Sequence, residues 1–203
     1  DDAIADYDRA IRLQPNLVEA YRGRGLIYAL RGSYDRAIAD CNQAIQLSPH
    51  YAEAYGTRGF AYYQKGDSER AIADYDQAIK LQPGYAEAYK NRGAARYHRG
   101  DYDQAIIDFN QAIKLQPEDA ESYSFRAGVG ASRGNYDRAI ADCDQAVMLR
   151  PDYVEAYFTR AVTYTLKGDK DKAIADFEKI LEVSDDPVWR RKVEEQLKKL
   201  EAK

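Results

Sequence analysis

The chain has 203 residues, 45% hydrophobic and 32% charged, and its 30 basic residues nearly balance 34 acidic ones for a net charge of −4. That balance gives no electrostatic grip on a polyanion such as nucleic acid, and no apolar run approaches the roughly 18 residues of a membrane-spanning helix. The opening residues, Asp1-Asp2-Ala3-Ile4, lack the basic start and apolar stretch of a secretory signal.

A 34-residue period runs through the chain, and a period of that length decides the architecture before any local pattern does. Residues 1–15 read as the second half of one copy, since Ala3, Ile4, Asp6, Ala10 and Pro15 match Ala37, Ile38, Asp40, Ala44 and Pro49. The chain is thus expected to open mid-repeat, with its natural start and any targeting signal upstream. Five full copies follow at 16–49, 50–83, 84–117, 118–151 and 152–185. In each, apolar residues recur at helical spacing twice, as in Ala54, Tyr55 and Tyr62 and then Ala71, Ile72, Tyr75, Ala78 and Ile79, which predicts two helices. Gly32, Gly66, Gly100, Gly134 and Gly168 separate the two in the left-handed conformation that glycine adopts at least cost. Ser33, Asp67, Asp101, Asn135 and Asp169 then stand as N-caps of the second helix, and Pro49, Pro83, Pro117 and Pro151 stop it.

Small residues mark where the two helices of a copy cross: Gly25, Gly59, Gly93, Ala127 and Ala161 on the first, Ala37, Ala71, Ala105, Ala139 and Ala173 on the second. A larger side chain there overpacks the contact, at about 1–3 kcal/mol. One hairpin cannot bury both of its faces, so the copies must stack. Cys41 and Cys143 occupy one slot of the repeat, shared with Tyr75, Phe109 and Phe177. Helices about 10 Å wide put the two cysteines on the order of 30 Å apart, too far for a disulfide, so both read as buried thiols. They leave the redox compartment open, and the cytoplasm is the location the sequence favours. After residue 185, Asp186 caps and Pro187 begins a last helix within 186–203. Trp189, Val193, Leu197 and Leu200 form its apolar stripe, while Arg190, Arg191, Lys192, Glu194, Glu195, Lys198 and Lys199 face water, as suits a helix that closes a stack. At the other end, Ile4, Tyr7 and Ile11 of the lone helix in 1–13 have an open side that would take another copy of the chain.

The pattern Tyr55, Gly59, Tyr62, Gly66, Ala71, Tyr75, Ala78 and Pro83, repeated in register over residues 1–185, resembles the tetratricopeptide repeat. The pentatricopeptide RNA-binding repeat has a period one residue longer and lacks this Gly-Ala-Pro pattern, and the acidic balance also disfavours RNA. The resemblance implies an all-α fold, a right-handed α-solenoid of helix-turn-helix 34-residue repeats with a C-terminal capping helix, as a single domain over 1–203. In one respect the chain departs from the family. Where leucine is usual it has Arg24, Arg58, Arg92, Arg126 and Arg160, matched in the second helices by Asp40, Asp74, Asp108, Asp142 and Asp176. An unpaired buried charge costs several kcal/mol, so each arginine is expected to pair with an aspartate of its own hairpin or the one before. Asp6 would then be the partner of an arginine upstream, and a column of anion sites is the alternative reading.

The resemblance further implies a concave groove lined by the first helices, in which an extended peptide or protein segment lies. The helical face opposite the hairpin contact gives Leu26 and Leu30, then Phe60 and Tyr63, then Lys90, Asn91, Ala94, Tyr97 and His98, then Phe125 and Gly128, then Phe158 and Val162. An apolar anchor of the partner is expected near Phe60, Tyr63 and Tyr97, because aromatic residues supply interface hot spots. Chaperone-binding members of the family clamp a C-terminal carboxylate with lysines, an arginine and asparagines. Of these only Lys90 and Asn91 are in place, with Arg22 two copies away. In the fourth copy Gly130 replaces the tyrosines Tyr28, Tyr62 and Tyr164, and Arg96 replaces the same tyrosine in the third. Either a dent bordered by Tyr97, Phe125, Phe158 and Val162 results, or Arg96 fills that space.

Glu19, Glu53, Glu87, Glu121 and Glu155 sit in the first turns of the first helices, and Arg31, Lys65, Arg99, Arg133 and Lys167 in the last, where the helix dipole favours each sign. His50 and His98 are the only histidines and lie in different copies without a nucleophile or metal-ligand partner, and 128–134 is not a phosphate loop. The expectation is an interaction module that binds protein or peptide, with no catalysis, cofactor, metal, nucleic acid or direct membrane insertion. Self-assembly into a homo-oligomer through Ile4, Tyr7 and Ile11 is the alternative.

Overall fold

The structure, a computed structural model, describes residues 2–201. Asp1, Ala202 and Lys203, which the expected first and last helices include, lie outside the described residues. Twelve helices and no strand occur among those described. α1 (Asp2–Leu13) stands alone, and five hairpins follow: α2 (Val18–Leu30) with α3 (Tyr34–Leu47), α4 (Ala52–Gln64) with α5 (Ser68–Leu81), α6 (Ala86–Arg99) with α7 (Tyr102–Leu115), α8 (Ala120–Ser132) with α9 (Tyr136–Leu149), and α10 (Val154–Lys167) with α11 (Lys170–Val183). α12 (Pro187–Glu201) completes an all-α repeat fold in which no helix is long and apolar enough to cross a membrane.

Two compact units divide the chain, Asp1–Gln111 and Ala112–Lys203. In the first, α1 packs on α2, α3 on α4 and α5 on α6, so the first helices α2, α4 and α6 lie side by side. In the second, α9 packs on α10, α8 lies beside α10, and α12 covers α11.

The hairpin turns follow from the glycines, whose φ runs from +76° at Gly32 to +92° at Gly100. Capping of the second helices is less uniform than the residue types imply. Asp67 and Asp169 accept from the N–H groups of Arg70 at 3.0 Å and Lys172 at 3.4 Å. Ser33 and Asn135 hold the N-cap position through their main-chain carbonyls, which accept from Ala37 and Ala139, yet neither side chain caps. Their ψ angles of 58° and 57°, against 76° and 80° at the two aspartates, turn the side chain off the helix end. A neutral oxygen is also the weaker acceptor. Asp101 engages the Arg99 guanidinium.

Close approach of the paired helices depends on the missing side chains at the crossing. A methyl at Gly59 would stand 2.9 Å from the Tyr75 ring and 3.2 Å from the Ala71 carbonyl oxygen, and one at Gly93 would stand 2.9 Å from the Phe109 ring. At Gly25 the neighbour is the Cys41 thiol, 3.1 Å away. Both cysteines are fully buried, and burial pushes the Cys41 thiol up to about 12 and Cys143 in the same direction, so both are unreactive fillers.

The arginine column resolves as pairing within each hairpin. Arg24, Arg58, Arg92, Arg126 and Arg160 each donate two parallel bonds to the aspartate sixteen residues on, Nε to Oδ2 at 2.8–3.0 Å and Nη2 to Oδ1 at 2.6 Å. The remaining Nη1 turns to the preceding second helix, donating to Asp8 and Asn42 at 2.6 Å from Arg24 and Arg58, and to Asp76 and Asp144 at 2.5 Å from Arg92 and Arg160. A tyrosine three residues earlier on the same helix, Tyr21, Tyr55, Tyr89, Tyr123 or Tyr157, lies 5.4–5.7 Å from each guanidinium carbon. Asp108, completely buried, receives a second cation, Arg96, at 2.8 Å.

Two end helices differ in detail from the sequence expectation. Tyr7, placed on the open side of α1, instead packs its ring tip where a methyl on Gly23 of α2 would stand, 2.5 Å from that site. It occupies the position that Cys41 and Tyr75 hold in the full copies, and Gly23 makes room for its ring. Ile4 and Ile11 are half-buried, as are Ile38 and Ile45 at the same slots. On α12, Asp186 caps the Val188 N–H at 2.8 Å, Val193 and Leu200 are buried, and Trp189 and Leu197 pack on the cluster that holds Phe177 and Ile180. Arg190, expected in water, is half-buried because its guanidinium folds back onto the Leu181 carbonyl at 3.2 Å and Asp185 at 3.0 Å.

Gly59→Leu should lower stability by about 3 kcal/mol through overpacking, measured by urea unfolding. Gly128→Ala, where nothing stands within 4 Å of the added methyl, should raise it by about 0.5–1 kcal/mol from helix propensity alone.

Candidate functional site

With tyrosine, arginine and the small residues turned inward, the opposite side of the first helices carries the candidate residues. In the first unit that side belongs to α2, α4 and α6. Leu30 is 69% exposed and Leu26 half-buried. Phe60 packs partly against Ala29 and Ala61, and Ala94 is buried, so these two form wall more than lining. Tyr63, Tyr97 and His98 are brought together: the His98 ring lies 5.5 Å from Tyr63 and 5.8 Å from Tyr97. Tyr102 of α7, which the repeat pattern does not single out, extends the group at 5.6 Å from Tyr97 and is itself exposed. Lys90 and Asn91 are half-buried on α6.

Polar side chains at the other end of these helices reach further than their sequence positions suggest. Arg22 donates from Nε to Thr57 Oγ1 at 3.2 Å, and the Thr57 hydroxyl donates to the Glu53 main-chain carbonyl at 2.9 Å. The positive charge of Arg22 also acts on the Tyr85 hydroxyl at the start of α6. Tyr85 lays its ring over Gly56, where a methyl would stand 3.0 Å from it, and burial pushes its hydroxyl up to about 12. Glu19 and Glu87 are exposed and Glu53 is half-buried. Behind them, the Tyr75 hydroxyl is buried without a hydrogen-bond partner, and desolvation pushes it well above its ordinary value.

In the second unit α8 and α10 carry the face. Phe125 is 41% exposed, Leu166 is 54% exposed, and Gly128 is half-buried. Phe158 lies between Phe177 at 5.7 Å and Trp189 at 5.4 Å, and Val162 packs on the same cluster, so the terminal helix covers this part of the face. Gly130 is buried, with room for no more than an ordinary methyl contact to Ala139 at 3.5 Å. Glu121 pairs with Arg150 at 3.7 Å, and Tyr153 hydrogen-bonds Ser124. Exposed cations at the ends of the first helices are tied to the preceding second helix, Lys65 to Asp35 and Lys167 to Asp137, each at 2.5 Å. His50 is exposed at a repeat junction.

Tyr75, Tyr85 and Tyr102 are the residues that reasoning from the sequence passed over. One signal was present: among the full copies, Tyr75 alone places a hydroxyl in the slot that Cys41, Phe109, Cys143 and Phe177 fill.

A family model described as Tetratricopeptide repeat matches residues 59–129 and 126–198, and a second described as TPR repeat matches 1–32 and 25–66. No curated protein sequence matches the chain. Among solved structures, MamA is 28% identical, with 78% of this chain and 93% of that chain covered and a TM-score of 0.69. YrrB, a TPR protein with an unusual peptide-binding site, is 19% identical over 93% of this chain and 97% of its own, with a TM-score of 0.68. A chain of the APC/C hetero-tetramer Cut9-Hcn1 is 20% identical with a TM-score of 0.87, over 98% of this chain and 39% of that one. The last two show likeness of fold alone.

Phe158→Ala should cost about 3 kcal/mol of stability because it removes a ring packed on two others, whereas Phe125→Ala should cost less, about 1 kcal/mol, because that ring is partly exposed. Thermal unfolding of the two variants checks the contrast.

Proposed function

The chain belongs to the tetratricopeptide repeat family, and from that premise we propose that it is a protein-interaction scaffold whose first-helix faces hold an extended segment of a partner protein or peptide. The observation that carries this reading is the division of labour on the first helices. Their tyrosines and arginines are consumed by the hairpins, while Leu30 and the Tyr63, Tyr97, His98 group in one unit, and Phe125 in the other, are left on the outer side. Exposed apolar and aromatic side chains clustered on one face are the usual mark of an interface. Leu26, Phe60, Lys90, Asn91 and Ala94 complete the surface in the first unit. In the second, Gly128 adjoins Phe125, and Phe158 and Val162 serve as its backing. YrrB, which shares the fold, is itself a TPR protein with a peptide-binding site, and this supports the reading. Binding of this kind calls for no catalytic group, cofactor or metal.

Self-assembly through Ile4, Tyr7 and Ile11 finds less support, because Tyr7 is used against α2 and the two isoleucines are no more open than their counterparts in the full copies.

Peptides selected from a random twelve-residue library on the intact chain should bind with an affinity that Tyr97→Ala and Leu30→Asp each reduce by about 10-fold in calorimetric titration, the loss of one hot-spot contact. Selected peptides that bind both variants as tightly as the parent would place the interaction elsewhere.

A further inference from the structure

We propose that the partner segment held by the first unit is proline-rich, its pyrrolidine rings and carbonyl groups meeting a row of side chains formed by Tyr63, His98, Tyr97 and Tyr102. The inference rests on the interaction-surface reading above and adds the chemistry of what binds there.

The four rings follow one another across the ends of α4 and α6 and the start of α7. Tyr63 lies 5.5 Å from His98, His98 lies 5.8 Å from Tyr97, and Tyr97 lies 5.6 Å from Tyr102, at interplanar angles of 58°, 60° and 42°. Rings tilted in this way touch without covering one another's faces. His98 and Tyr102 are exposed, and Tyr63 and Tyr97 are half-buried. Each step along the row is close to the rise of two residues in a polyproline helix, about 6 Å.

The polar groups of the row are neutral donors. Among the described residues no hydrogen bond engages the hydroxyl of Tyr63 or of Tyr102. Burial pushes the Tyr63 hydroxyl up and no charged group contributes, so it stays an O–H. The His98 imidazole carries an N–H in either tautomer. The cations that adjoin the row in the chain are already committed, Lys65 to Asp35 and Arg99 to Asp101. An acidic or basic anchor would therefore find no free opposite charge beside these rings.

An extended segment laid across helices must satisfy its main chain through side chains, because the helix backbones are bonded internally. An ordinary residue brings both an N–H and a carbonyl, whereas proline brings the carbonyl alone. Hydroxyl and imidazole donors meet that carbonyl, and no N–H of the segment is left wanting an acceptor. The pyrrolidine ring supplies an apolar face to pack on the aromatic ones. A polyproline chain also has no internal hydrogen bonds to give up, and it is ordered before it binds, which lowers the entropy lost on docking.

The test sequences the pool of twelve-residue peptides selected on the intact chain. A selected peptide and its proline-to-alanine counterpart are then titrated into the parent, Tyr63→Phe, Tyr102→Ala and Tyr97→Ala. Proline should be enriched in the pool, and alanine in its place should weaken binding to the parent by about 10-fold. Tyr102→Ala, which removes a ring, should weaken the proline peptide by about 10-fold, and Tyr63→Phe, which removes only a donor, by about 3-fold. Neither substitution should lower Tm, which separates a contact with the ligand from a role in the fold. Peptides that lose affinity with Tyr97→Ala but show no proline enrichment, or no response to Tyr63→Phe and Tyr102→Ala, overturn the proline assignment and leave the interaction surface standing. Peptides indifferent to Tyr97→Ala overturn both.

Discussion

A guanidinium held by the aspartate of its own hairpin, stacked by a tyrosine and extended to the preceding second helix is the interaction on which the rest of this structure depends. For Arg24, Arg58, Arg92 and Arg160 all three contacts are made, and together they fix the rotation of the helix about its axis. With Arg58 bonded to Asp74 and Asn42 and lying over Tyr55, Gly59 is brought against Tyr75, and Phe60 and Tyr63 are turned to the other side. The pair is therefore more than a local tie. Its bidentate geometry fixes helix register within the hairpin, and Nη1 carries that register to the neighbour. Because the charges are largely withdrawn from water, the pair tolerates no loss of one member, although it need not exceed an apolar pair in net stabilisation.

The surface proposed for binding is what this constraint leaves over. In the first unit, the side of α2, α4 and α6 opposite the pairs carries an aromatic group at one end and hydroxyl and carboxylate groups at the other. In the second unit the repeat's own end encroaches on the same side, for Trp189 of α12 takes Phe158 as its packing partner. Closing the last hairpin and the proposed binding face thus draw on the same residues. That is why Phe158 and Val162 belong to the support, while Phe125 is 41% exposed.

Architecture was legible in the sequence because its determinants are local and repeated five times. A glycine at positive φ, a proline after the second helix and a small residue at the crossing each act within one hairpin, and Arg24 and its counterparts found their aspartates because charge burial leaves few alternatives. Features that rest on side-chain reach into a neighbouring repeat were not legible. Arg22 appears two copies from Lys90 in sequence, yet it reaches Thr57 of the next copy and its charge acts on Tyr85, at the start of the helix that carries Lys90. Tyr7 looks exposed until Gly23 is seen beneath it, and Arg190 belongs to the solvent face of α12 until its guanidinium folds back onto Leu181. Ser33 and Asn135 are good capping types whose backbone angles point the side chain elsewhere. Residue type and spacing give the slot; the contents of the next slot decide what the side chain does there.

A double-mutant cycle on Arg58 and Asp74 tests the central claim most directly. Arg58→Met and Asp74→Leu are measured singly and together by chemical unfolding. Each single change should lose about 3 kcal/mol by stranding a buried charge, and the double change should recover most of that, a coupling of about 2 kcal/mol or more. Losses that simply add would contradict the account, since they would mean that the arginine and aspartate act independently and that something else sets the register of the hairpins.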